Sequence, residues 1–290
     1  RVTGRAAARR GLAQLIPALA AHRRRGLRAH ATPGAAMQLW VHTFQELSLR
    51  DGPAWELPAT LLRPPDAAGV LVFFDERGRW TALQQWGWLN RAAGVFSRGG
   101  RPRAVLTVDL PGWGDTRPLP SPYDVVGWGG VDRWSGYLSA ATGESVMALR
   151  LREAVRVVDW VQRTWRTPAA RIVVGGHGLG ATVAGLAACL HGRLGGVLLL
   201  DPLAEFAGLA TARRAVWPHD AYFPGILAAA DLPEALALQP APVLVVGARD
   251  AQGRPPGTRR VFHGRHVTVV PGRFSPAREA DVLRWLQART

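Results

Sequence analysis

The 290-residue chain contains no lysine and only one cysteine, so arginine supplies all of its strong positive charge. A lone cysteine, Cys189, excludes an internal disulfide, and its apolar surroundings at 185–190 predict a core position. No apolar run approaches the roughly 18 residues needed to cross a membrane, so we expect no membrane-spanning segment. The chain also lacks zinc-ligand spacings and RNP patterns, so the sequence predicts no metal, no cofactor and no specific nucleic-acid motif.

The formal net charge of +15 is unevenly distributed. Residues 1–36 carry eight arginines and no acidic residue, which is about half of the net charge. We expect a basic helical N-terminal extension over 1–36, with a helix from Arg5 to His30 that is interrupted near Pro17. Two interpretations remain open. The extension is either a solvated leader or an arm that binds phosphate or an acidic protein partner and so mediates assembly.

The rest of the chain, 37–290, reads as one α/β domain. Early strands at 37–49 and 54–63 precede an alternation of short apolar runs and longer helical segments. The expected strands are Gly69–Phe74, Ala104–Asp109, Arg171–Val174, Gly196–Asp201, Pro242–Gly247 and His266–Val270. The expected helices are Thr81–Ala93, Ser145–Trp165, Ala181–His191 and Pro276–Ala288. This order predicts a mainly parallel sheet with helices on both faces, and 206–238 is long enough to form a small cap.

One glycine-rich turn stands between an expected buried strand and an expected helix. Gly176, Gly178 and Gly180 are spaced as in the G-x-S-x-G nucleophile elbow, with glycine where that pattern has serine. A Rossmann phosphate-binding turn fits less well, because G-x-G-x-x-G requires its third glycine at 181 rather than 180. Glycine at the centre of an elbow removes the backbone strain that a residue with a Cβ carries there.

With these residues the chain resembles α/β hydrolases of the acetyl xylan esterase-like kind over about 61–287. Further similar segments are Asp109–Thr116, a D-x-x-G-x-G-x-[ST] loop, and the cap segments Phe223–Leu227 and Asp231–Pro233. The resemblance implies an α/β-hydrolase fold, carbohydrate substrates, and a secreted or periplasmic location.

The resemblance also implies where a catalytic triad would lie. The nucleophile position maps to Gly178, which is vacant, and Asp250 matches the acid after the strand 242–247. The histidine position falls near Phe274, so it is vacant too. Two vacancies favour natural loss of activity over a single engineered substitution.

The backbone of an elbow provides an oxyanion hole even without serine. We expect the N–H of Leu179 as one donor and the loop Asp75–Glu76–Arg77 as the source of the second, so that a small anion could bind. Trp80 and Trp113 belong to a group of tryptophans near the same sheet edge. They are interpreted either as platforms for sugar rings or as packing for loops.

The leading functional hypothesis is a degenerate hydrolase that serves as a binding or structural subunit. The alternative is a carbohydrate esterase of the acetyl xylan type with a non-standard arrangement, using Ser135, Ser139 or Ser275 with His219. A third hypothesis is an assembly component held by the basic arm.

Overall fold

The computed structural model describes residues 4–39, 42–53, 55–85, 87–95, 101–118, 130–256 and 261–289. Nine strands form one sheet in the order β1-β2-β3-β5-β4-β6-β7-β8-β9. The strands are β1 (Arg28–Leu39), β2 (His42–Arg50), β3 (Glu56–Arg63), β4 (Val70–Asp75), β5 (Ala104–Val108), β6 (Ile172–His177), β7 (Gly196–Leu200), β8 (Val243–Val246) and β9 (Val267–Val270). β1, β2, β3 and β5 pair antiparallel, and all pairs from β5 to β9 are parallel.

Helices cover the sheet on both faces. They are α1 (Arg5–Gln14), α2 (Leu19–Arg25), α3 (Arg79–Gln85), α4 (Gly87–Ala92), α5 (Gly130–Thr142), α6 (Val146–Thr164), α7 (Leu179–His191), α8 (Phe206–Thr211), α9 (Ile226–Ala229), α10 (Leu232–Ala237) and α11 (Glu279–Gln287). No helix in the described ranges is both long and apolar enough to span a membrane.

β4 illustrates why the sheet is buried on both sides. Val72 and Phe74 belong to the core that includes α6 and α7, whereas Leu71 and Phe73 belong to the opposite core with α4 and α11. Successive side chains of a strand point to opposite faces, so a continuous apolar run suits a doubly covered strand. The predicted α/β class with a mainly parallel sheet is confirmed.

The N-terminal region differs from the expectation. The predicted helix to His30 ends at Arg25, and β1 begins at Arg28 and pairs with β2. The expected boundary at residue 36 therefore falls inside a strand. Local propensity favours helix in this basic stretch, but the backbone hydrogen bonds offered by β2 outweigh it. The division of the chain into 1–36 and 37–290 stays a prediction.

The two first helices pack on the domain. Ala8, Leu12 and Ile16 are buried in the core that includes α7 and α9. Arg23 on α2 donates two hydrogen bonds, of 2.6 and 2.8 Å, to the carboxylate of Asp159 on α6. Apolar burial and this ion pair fix α1 and α2 to the body of the molecule.

Other element boundaries shift by a few residues. The expected helix Thr81–Ala93 is two helices, α3 and α4, and residue 86 between them lies outside the described ranges. β6 extends three residues further than expected, to His177, so that α7 starts at Leu179. The predicted cap at 206–238 forms α8, α9 and α10, of which α10 packs against α7 and α9 against α1.

Candidate functional site

The turn between β6 and α7 consists of one residue. Gly178 has φ +60° and ψ −127°, a backbone conformation that is accessible mainly to glycine. Gly176 and Gly180 permit the close approach of β6, α7 and β4, because a Cβ on either would overlap the backbone carbonyl of Phe74. The local sequence therefore dictates a tight strand–turn–helix at the carboxyl edge of the sheet.

A carboxylate lies directly over this turn. Leu179, the first residue of α7, donates its backbone N–H to Glu76 Oε2 at 2.8 Å. A Cβ built on Gly178 would overlap both oxygens and the carboxyl carbon of Glu76. The sequence predicts an N–H donor from the loop of Asp75, Glu76 and Arg77, but this loop supplies an anion that accepts from Leu179.

Burial raises the pKa of Glu76 above its ordinary value, and the hydrogen bond from Leu179 and the nearby His177 oppose this. The side chain lies where α7 presents its free N–H groups and the positive end of its dipole. The Glu76 carboxylate thus caps the N-terminus of α7 and lies next to Gly178.

His177, the residue before the turn, lies between two buried carboxylates. Its Nδ1 is 3.7 Å from Asp75 Oδ1, and its Nε2 is 3.5 Å from Asp201 Oδ2. Burial lowers the pKa of His177, but the carboxylates of Asp201 and Asp75 outweigh burial and raise it above the ordinary value. The two acids thus stabilise the protonated ring relative to a histidine without charged neighbours.

Two arginines complete the charge balance. Arg77 holds Asp75 with hydrogen bonds of 2.9 and 2.8 Å, and Arg249 donates to Asp201 Oδ2 at 2.7 Å. Burial raises the pKa of Asp75, but Arg77 and His177 lower it well below its usual range. Asp75 is committed to this network and is not exposed to a ligand.

Asp201 was not predicted as a site residue. It follows β7, has φ +50°, and accepts the backbone N–H of Phe274 at 3.1 Å. The sequence nevertheless contains a signal for it. A carboxylate directly after a buried parallel strand lies at the carboxyl edge of the sheet, where α/β proteins bind their ligands. The apolar run 196–200 ends at this aspartate.

Phe274 is buried, and its backbone is held beside Asp201. The ring packs edge-on against Trp88, with 6.2 Å between ring centroids, in the core that contains α4 and α11. The position near which the resemblance places a histidine thus carries an apolar side chain that fills the core.

Asp250 organises its own loop. One carboxylate oxygen accepts the backbone N–H groups of Gln252 and Arg254, each at 2.9 Å, and its backbone carbonyl accepts the indole N–H of Trp217 at 2.8 Å. These bonds are typical of a turn-stabilising aspartate. Among the described residues, the Asp250 carboxylate forms no hydrogen bond or ion pair with a histidine.

The two tryptophans singled out from the sequence differ in exposure. Trp113 is buried, and the Arg150 guanidinium lies 4.3 Å from its ring centroid. Trp80 is 38% exposed, with Arg79 5.3 Å from its ring centroid and Phe44 at 6.0 Å. A sugar ring has access to part of Trp80 but not to Trp113.

His219 lies in a short 3₁₀ turn, with its ring between those of Tyr137 and Tyr222 at centroid distances of 6.0 and 6.2 Å. Ser139 on α5 donates to the backbone carbonyl of Gly136 at 2.8 Å. Within the described part of the chain, no hydrogen bond joins His219 to Ser135, Ser139 or Ser275, so the structure does not assemble these alternatives into a dyad.

A small cavity opens over Gly178. Its volume is about 150 Å³, and segment 216–218 of the predicted cap lines one side of it. The charged walls are formed by Glu76, His177, Asp201 and Arg249. Among the described residues, no group of three or more His, Cys, Asp or Glu is arranged to hold a metal ion.

Comparison with known proteins gives a clear result at the level of the fold. No family model matches the chain, and no curated protein matches its sequence.

Solved structures of esterases do match. An acetyl xylan esterase from Paenibacillus sp. R4 is 18% identical with a TM-score of 0.67, over 100% of this chain and 96% of the other. Acetyl xylan esterase 1 from Thermoanaerobacterium sp. JW/SL YS485 is 13% identical with a TM-score of 0.65, over 96% and 92%. Methylesterase BT1017 is 16% identical with a TM-score of 0.68, over 98% and 63%.

These similarities and the topology define the class of the protein. Its mainly parallel sheet, flanked by helices, is the α/β-hydrolase fold, and its structural neighbours are acetyl xylan esterases and other esterases of that type. At these identities the likeness establishes the fold, and function rests on the site itself.

Proposed function

We propose that this α/β-hydrolase-fold protein lacks serine-hydrolase activity and serves as a binding or structural subunit. The observation that carries the proposal is the hydrogen bond from Leu179 N–H to Glu76. In an elbow this N–H is a donor to the oxyanion of the reaction intermediate. Here a side chain of the same protein occupies it, and the same carboxylate takes the place that a Cβ at position 178 would need.

The residues at two of the triad positions that the resemblance implies support the same proposal. Glycine at 178 offers no nucleophile, and Phe274 offers no base. In serine proteases, removal of such groups lowers turnover by about 10⁶-fold, and the remaining acceleration comes from the oxyanion hole and binding. In this chain the expected hole donor is itself engaged, so even that remainder is reduced.

A fluorophosphonate probe tests this proposal, because it labels activated serines covalently. We expect no labelled peptide in the native protein by mass spectrometry, with a competent esterase as the positive control. Labelling of Ser135, Ser139 or Ser275 that disappears on denaturation would overturn the proposal.

The alternative is a carbohydrate esterase with a non-standard catalytic arrangement. Its support is Glu76, a carboxyl group with a raised pKa that faces a cavity, as general acid–base groups do. The carbohydrate esterases among the structural neighbours are compatible with it. Acetate release from acetylated xylo-oligosaccharides that Glu76→Gln abolishes would favour this alternative.

A further inference from the structure

A basic groove lies at the opposite end of α7 from Gly178. α7 has 13 residues, so its last turn is about 20 Å from the elbow. The groove is shallow and open, with a volume of about 960 Å³, and is formed by α1, α2, α6, the end of α7 and the segment that precedes β6. Its basic lining residues are Arg5, Arg9, Arg10, Arg23, His191 and Arg193.

α1 directs a pair of arginines to the end of α7. Arg5 and Arg9 are four residues apart and therefore lie on one face of the helix. A Cβ on Gly192, directly after α7, would come within 3.3 Å of Arg5 Nη2. Arg9 lines the groove together with Arg5 and with His191 and Gly192 at the end of α7.

Four arginines of the groove have no described counter-ion. Within the ranges that the structure describes, Arg5, Arg9, Arg10 and Arg193 form no ion pair, and no acidic residue lines the groove. The nearby acid, Asp159, is already bound by Arg23 at 2.6 Å and by His191 at 3.1 Å. Like charges on one surface repel one another and create a positive field.

The dipole of α7 explains only part of this arrangement. A helix C-terminus carries about half a negative charge, which favours a nearby cation within the last turn. Four guanidinium groups exceed that charge several-fold. Ordinary counter-ions from solvent balance the remaining charge, and a ligand that carries several negative charges would replace them in the groove.

We propose that the groove binds a compact multivalent anion that carries two or more phosphate groups. The planar guanidinium fork makes paired hydrogen bonds to phosphate oxygens. Among the described lining residues there is no Phe, Tyr or Trp on which a nucleobase could stack, and the imidazole of His191 is paired with Asp159, so we expect recognition by charge. This site is separate from the cavity over Gly178 and stands independently of the proposal for that site.

Calorimetric titration of the full chain with inorganic triphosphate at 0.15 M salt tests the groove. The test variant is Arg5→Gln/Arg9→Gln, since glutamine retains helix propensity. The matched control is Arg265→Gln/Arg273→Gln, which removes two exposed arginines flanking β9. Thermal melting of all three proteins verifies that each is folded.

We expect saturable binding of one triphosphate, weakened at least tenfold in the α1 variant and less than twofold in the control. Orthophosphate should bind at least tenfold more weakly than triphosphate. Equal weakening in both variants, or absence of saturable binding in the wild type, would overturn the proposal. Tighter binding of a 20-nucleotide oligothymidylate or of an acidic peptide than of triphosphate would overturn it too, because an extended polyanion would then be the ligand.

Discussion

The carboxylate of Glu76 and the backbone N–H of Leu179 are joined by a hydrogen bond of 2.8 Å at the start of α7. This bond satisfies one of the free donors at a helix N-terminus and places a negative charge at the positive end of the helix dipole. It also fills the space over Gly178 from within the chain. The relationship couples the stability of the turn to the absence of a side chain at 178.

Gly178→Ala should destabilise the protein far more than an alanine at another glycine with positive φ. Gly272 has φ +84° and open space around its ideal Cβ, so Gly272→Ala adds backbone strain alone, about 1–2 kcal/mol. Gly178→Ala adds overlap with the carboxyl end of Glu76. This side chain then has to turn away and give up the hydrogen bond from Leu179, which we expect to cost about 1–3 kcal/mol more. Urea unfolding of both variants measures the difference.

The double variant Gly178→Ala/Glu76→Ala is the control for that explanation. Removal of the carboxylate relieves the overlap, so the extra cost should largely disappear. If the double variant is as unstable as the sum of its single variants, the contact between residues 76 and 178 is not the cause.

Gly178→Ser alone should not produce esterase activity. The serine side chain would meet the Glu76 carboxylate, and Phe274 provides no imidazole to take up a proton. Acetate release by Gly178→Ser and by Gly178→Ser/Glu76→Ala should both remain at the wild-type level. A rise in acetate release of a hundredfold or more in either variant would contradict this prediction. It would show that another residue acts as the base for the serine introduced at position 178.

Glu76→Gln should change the pH dependence of stability. Because the pKa of Glu76 is raised in the folded state, the native protein binds more protons than the unfolded chain just above pH 4.5. Stability contributed by this group therefore falls as pH rises from the unfolded pKa through the raised folded pKa. Glutamine keeps an acceptor for Leu179 and carries no charge.

We accordingly expect the stability of Glu76→Gln relative to wild type to increase as pH rises through this window and to level off above it. Chemical unfolding at intervals between pH 4 and pH 8 measures this difference directly. A relative stability that decreases over the same interval would contradict the assignment of a raised pKa.

Arg150→Met should be strongly destabilising, because Arg150 is paired with Asp220 at 2.5 Å and both side chains are buried. Loss of the guanidinium leaves a buried carboxylate without its partner, at a cost of about 3–5 kcal/mol. Arg284 is 77% exposed and paired with Asp281 at 3.3 Å, so Arg284→Met should cost less than about 1 kcal/mol. Similar losses in the two variants would contradict this account of α6.

The sequence predicts the strands and helices of the domain correctly where the local hydrophobic pattern and the tertiary contacts favour the same structure. The expected strands 69–74 and 196–201 match β4 and β7 to within one residue at either end, because a doubly buried strand requires a continuous apolar run. Residues 28–30 are predicted as helix but form the start of β1, because their strand conformation depends on pairing with β2, which local composition does not encode.

The site was partly predictable for the same reason. Gly176, Gly178 and Gly180 predicted the tight turn, since only glycine tolerates its conformation and close contacts. The direction of the Glu76 side chain and the link from Asp201 to Phe274 depend on segments far apart in sequence. No spacing rule connects residues 76 and 179, so their hydrogen bond emerges only when β4 and β6 pair.

Acetate release from acetylated xylo-oligosaccharides by the purified wild-type chain shows most directly whether this protein hydrolyses esters. We expect a rate that is indistinguishable from the buffer background, because Gly178 offers no nucleophile and Glu76 occupies the Leu179 donor. Turnover in the ordinary enzyme range, on the order of 1–10³ s⁻¹, would contradict it.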